Sequence, residues 1–139
     1  MHILTATIPR HERPSPDYFQ HKWENRNHEE LYVMINGLRG KYKPLDVDHR
    51  LELAAHVHAY DLATRSVCSQ TGPKGETLSE RMAAVNFPWE GGKQILICGG
   101  NAKTREREIL KHKLILKDLG YRFIGIGNSY YFYVIILAR

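Results

Sequence analysis

The sequence predicts an α/β domain: a small sheet covered by helices on each side. Three observations carry that prediction. Residues 45–63, LDVDHRLELAAHVHAYDLA, place apolar side chains at helical spacing. Residues 130–137, YYFYVIIL, are apolar at every position, as in a middle strand buried on both faces. The length of 139 residues, with 42% hydrophobic and 25% charged, suits one domain with its own core.

An arm at residues 1–26 precedes a domain at 27–139. In the arm, Ile3, Leu4, Ala6 and Ile8 suit one short strand ending at Pro9. Pro14 and Pro16 keep the backbone extended. Tyr18, Phe19 and Trp23 are large aromatics that a solvated tail rarely carries. The arm is expected to pack on its own domain or on a protein partner. In the second case these three residues are the partner-binding ones.

The first helix opens with Asn27 and Glu30 as a capping box. Leu31, Met34, Ile35 and Leu38 form its apolar stripe, and Gly40 and Pro44 close it. Asp48 is the expected N-cap of the central helix, residues 48–64. Leu51, Ala55, His58 and Leu62 share one face. His49, Glu52, His56 and Tyr60 lie opposite and read as solvated. His58 is thus expected to be buried and hydrogen-bonded, or to face a cavity if a second polar group lies near.

The loop at 67–77 has glycines and a proline but no Gly-Lys-Ser/Thr arrangement, so it is no phosphate cradle. Thr77 and Glu80 form a second capping box, with Leu78, Met82 and Val85 behind it. A buried strand follows at 94–98. Residues 101–119 are helical and basic. Ile109, Leu116 and Leu119 share a face with His112, while Leu110 and Leu114 lie opposite, which predicts a break at 111–113. Gly120 ends the helix. Strands at 121–127 and 130–137 are expected to flank a turn at Gly127, Asn128 and Ser129.

Several function classes recede. No apolar run is long enough to span a membrane. The N-terminus reads as lacking a secretory signal, so the expected location is the cytoplasm or a larger assembly such as a virion, with classical secretion disfavoured. Cys68 and Cys98 could pair, but without a signal reduced, buried thiols are the expectation. The formal charge of +5 permits anionic partners. The basic helix, however, intersperses Glu106, Glu108 and Asp118 and has no aromatic to stack on bases, so it reads as a solvated face rather than a nucleic-acid site. Ser69 and Cys68 lie in a loop without a nucleophile elbow.

The pattern of Leu45, Asp48, Leu51, Ala55, His58, Ala59, Asp61, Leu62 and Ala63 resembles the signature helix of the CAP superfamily. That group includes cysteine-rich secretory proteins, antigen 5, plant pathogenesis-related proteins and bacterial SCP-like domains. Asn36, Arg39, Pro44 and Leu45 are similar to its first helix, and Thr77, Arg81 and Met82 to a later segment. Gly125, Ile126 and Gly127 match the G-I-G of bacterial members. The resemblance covers about residues 31–137 and implies a three-layer α-β-α sandwich with a small antiparallel sheet.

It also implies a cavity of two histidines and two acids that binds a divalent metal in some members. By position, Gln70 stands for the first histidine and Lys93 for an acid, and His112 alone survives. A lysine ammonium opposes a bound cation. The expectation is therefore no metal, no cofactor and no enzyme: a binding or structural module with a degenerate cavity, within a larger assembly. The alternatives are a divergent hydrolase using His112 and an exported lipid- or sterol-binding protein.

Overall fold

The structure is a computed structural model that describes residues 28–139. Helix α1 spans Glu29–Arg39, strand β1 Asp46–Val47 and helix α2 His49–Arg65. Helix α3 spans Leu78–Ala84, strand β2 Gly92–Cys98 and helix α4 Ala102–Lys111. A single turn, α5, covers Lys113–Leu116, and strands β3 (Phe123–Ser129) and β4 (Phe132–Ala138) close the fold. The expected arm strand and Tyr18, Phe19 and Trp23 lie outside the described residues.

The strands run in the order β1-β3-β4-β2. β4 is antiparallel to both β3 and β2, which places the apolar C-terminal run in the middle of the sheet. The two-residue β1 departs from the expected antiparallel pattern and pairs parallel to β3. Two cores follow from strand alternation. Val134, Ile136 and Ala138 pack with Leu51, Ala55, Leu62 and Met82 under α2 and α3. Ile135 and Leu137 pack with Ile35, Ile109, Leu116 and Ile126 under α1, α4 and α5.

Local signals set most boundaries. The Asp48 carboxylate accepts from the Arg50 amide at the start of α2. Thr77 and Glu80 complete their capping box at α3. The first helix differs: His28 is its N-cap and makes no side-chain cap bond, while Asn27 lies outside the described residues. The break expected at 111–113 falls at His112, which ends α4 and starts α5.

Two expectations need correction. The β3–β4 turn is at Tyr130 and Tyr131, not at Gly127–Ser129, which belong to β3. Gly125 and Gly127 serve close approach instead. A Cβ on Gly125 would lie 2.3 Å from the Leu51 carbonyl carbon, and one on Gly127 2.3 Å from the His56 nitrogen. The backbone of α2 therefore rests on β3 without side chains between. For the same reason His56, expected in solvent, is fully buried: the helix is covered on more than its apolar stripe. His49 on that opposite face is exposed, and Glu52 and Tyr60 are half-buried.

Candidate functional site

Gln70, one of the family-like cavity positions, bonds two buried polar residues, Arg81 and Gln94. Gln94 lies buried on β2, on the strand face shared with Leu96 and turned to the α3 side. Arg81, buried on α3, donates to Gln94 Oε1 at 2.6 Å and to the carbonyls of Gln70 and Glu76 at 3.2 and 3.0 Å. Gln94 Nε2 in turn donates to Gln70 Oε1 at 2.8 Å. Gln70 is exposed and folds over this pair from the loop after α2. The capping box positions Arg81, since it fixes the first turn of a helix only seven residues long.

His58 stands beside this group. It is buried, and its Nε2 lies 2.8 Å from the Ser69 carbonyl. A carbonyl only accepts, so Nε2 carries the proton and Nδ1 does not when the ring is neutral. Burial, reinforced by the Arg81 charge, pushes the ring down to about 4. His58 is therefore a neutral donor near pH 7.

The structure does not bring Gln70, Lys93 and His112 into one cavity. Lys93 is exposed and alternates with Gln94, on the strand face of Ile95 and Ile97. His112 sits between α4 and α5, against the second core, and donates from Nδ1 to the Glu108 carbonyl at 2.7 Å. The sheet separates it from Gln70. Sequence reasoning missed Gln94 and the central role of Arg81. The parity of β2 distinguishes Gln94 from Lys93 once the covering helices are known. Among the described residues no cluster of three or more His, Cys, Asp or Glu is arranged to hold a metal.

Cys68 and Cys98 are a disulfide, against the expectation of buried thiols. Both residues are exposed, and their Cα atoms lie 5.9 Å apart because the loop after α2 returns to the end of β2. The bond ties the loop carrying Ser69 and Gln70 to the sheet. With a separation of 30 residues, the constraint on the unfolded chain is worth about 3–4 kcal/mol.

Two further arrangements lie on the other side of the sheet. Arg39 is buried and donates to the carbonyls of Lys43, Leu116, Asp118 and Tyr121. Asn36 clamps both backbone polar groups of Leu45. These bonds explain the Asn/Arg pair and the Pro-Leu that follows it. Between α1 and α4 lies an open cleft of about 280 Å³, lined by His28, Glu30, Met34, Arg105, Glu106 and Tyr133. Arg105 stacks 4.6 Å over the Tyr133 ring. At the sheet margin, Tyr32 accepts from the Ile126 amide at 2.9 Å and donates to Glu52 at 2.7 Å. Burial, with the Glu52 bond, raises the Tyr32 phenol well above its ordinary value and keeps it a donor.

The same arrangement of elements occurs in solved proteins. An extracellular protein containing an SCP domain from Bacillus anthracis superposes with a TM-score of 0.71 at 17% identity, over 91% of this chain and 44% of that one. The chain has the CAP fold. An outer surface protein from Borrelia burgdorferi gives 0.71 at 22% identity, over 82% of this chain and 96% of that one. A cysteine-rich secretory protein from Staphylococcus aureus gives 0.63 at 20% identity, over 78% and 36%. The chain spans less than half the length of the Bacillus and Staphylococcus proteins. No protein-family model matches the sequence, and no curated protein matches it.

These CAP neighbours correct the expected location. They are named as extracellular, outer-surface and secretory proteins, against a cytoplasmic place and against classical secretion being disfavoured. Among the described residues no helix is long and apolar enough to cross a membrane.

Proposed function

We propose that this chain is a non-enzymatic CAP-like binding module that works outside the cell. One observation carries the reading: where a reactive cavity would need free carboxylates and imidazoles, Arg81, Gln94 and Gln70 spend their polar atoms on one another. Amides neither take up nor release protons near pH 7, and a guanidinium repels a metal cation. His58 is neutral and donates to a carbonyl, so it is poorly placed as a base. His112 has one ring nitrogen committed to the Glu108 carbonyl. The disulfide supports an oxidising surrounding, as does the likeness to extracellular, outer-surface and secretory proteins.

The test is hydrolysis of ester and peptide substrates by the whole chain, beside His112→Ala, with and without zinc. The expected outcome is equal background turnover for both proteins and no stoichiometric zinc binding at micromolar concentration. Turnover or zinc binding that disappears in His112→Ala would overturn the proposal and establish a hydrolase.

A further inference from the structure

Helix α4 and the turn α5 present one outward face that the binding reading leaves unused. Ile109 and Leu116 are fully buried, seven residues apart, so the inward direction keeps one phase across the break at His112. At 100° per residue, an arc of about 100° opposite the mean direction of Ile109, Leu116 and the half-buried Thr104, Arg105, Glu108, His112 and Ile115 holds Glu106, Lys117, Leu110, Lys103, Leu114 and Arg107. All six are exposed. Leu110 is 46% exposed and Leu114 81%. Leu119, in the turn that follows, is 59% exposed. Lys113 and Asp118 add one exposed cation and one exposed anion at the two edges of the arc. Lys111 is drawn off to Glu108 at 2.8 Å, whereas Lys103, Arg107 and Lys117 make no ion pair among the described residues.

We propose that this face docks on an anionic lipid surface. Charge complementarity selects the occupant. Three cations that make no ion pair among the described residues surround two protruding leucines, with Glu106 as the single anion on the arc. A polyanion such as DNA would use the cations but leave the leucines in water. A lipid interface uses both: the cations meet headgroup phosphates while Leu110 and Leu114 enter the acyl boundary. The apolar contribution is small, so attachment is reversible and depends on the anionic lipid content. This docking is independent of whether the chain is an enzyme.

The experiment is flotation of the full chain with vesicles of equal parts phosphatidylglycerol and phosphatidylcholine, and with phosphatidylcholine alone. Binding is expected only to the anionic vesicles. The triple variant Lys103→Gln, Arg107→Gln, Lys117→Gln should bind at least about tenfold more weakly. Leu110→Ser with Leu114→Ser should also lose severalfold, with the circular dichroism of both variants unchanged. Three results would overturn the proposal: no binding to anionic vesicles, full binding by the serine variant, or binding to duplex DNA that the serine variant retains and that exceeds vesicle binding.

Discussion

The two faces of the sheet are covered by different means. On one, α2 lies directly on β3, because Gly125 and Gly127 carry no side chain to hold it away. Buried polar groups there, His58, Arg81 and Gln94, have close internal partners. On the other, α1, α4 and α5 stand off on a layer of Ile35, Ile109, Leu116 and Ile126. That side keeps an open cleft and an outward, mostly charged face with exposed Leu110 and Leu114. The contrast separates the frame from the surface available to partners. Backbone-to-backbone packing tolerates almost no change, while a side-chain layer can vary and still close.

The sharpest way to break the contrast is Gly127→Val. The new side chain would meet the His56 backbone at the start, and the helix must lift. We expect a loss of at least about 3 kcal/mol in chemical denaturation. A loss below about 1 kcal/mol would mean that α2 does not rest on β3 as described.

An intermediate effect comes from acid. The His58 pKa is depressed in the fold to about 4 from an ordinary 6.5. The unfolded chain therefore binds the proton first, and stability rises with pH across that interval. The His58 contribution is complete above pH 6.5 and is lost as the pH falls toward 4. A difference of this size is worth up to about 3 kcal/mol. His58→Gln should flatten the pH dependence of the melting temperature in that window. An unchanged slope would remove His58 as its source.

The smallest effect is expected on the tolerant side. Gly37 lies exposed within α1, and a Cβ there meets nothing within 4 Å. Gly37→Ala should stabilise the protein by about 0.5–1 kcal/mol through helix propensity alone. Destabilisation would indicate that α1 is under constraints its packing does not show.

The elements were legible in the sequence wherever periodicity and caps agreed. Leu51, Ala55, His58 and Leu62 fixed the phase of α2, and Asp48 and Thr77 fixed two helix starts. Periodicity failed where burial came from a second direction. His56 sits on the polar side of its helix, yet the strand backbone reaches it through Gly127. The same glycine looked like a turn residue because a glycine's signal is permissiveness, whichever use the fold makes of it. Of the candidate site, Gln70 and His112 were visible as single positions. That the sheet lies between them, and that Gln94 rather than Lys93 meets Gln70, depends on strand parity and on which helix covers which face. The pairing of Cys68 with Cys98 is likewise a tertiary fact, set by where a loop returns.

That bond also changes what it means to cut this chain. Residues 68–98 form a covalent ring, and Lys74 stands exposed on it between the two anchors. A protease that cleaves after Lys74 opens the ring but does not divide the molecule. Both fragments stay joined through sulfur, each holding one cysteine, and they part only when a reductant reaches the bond.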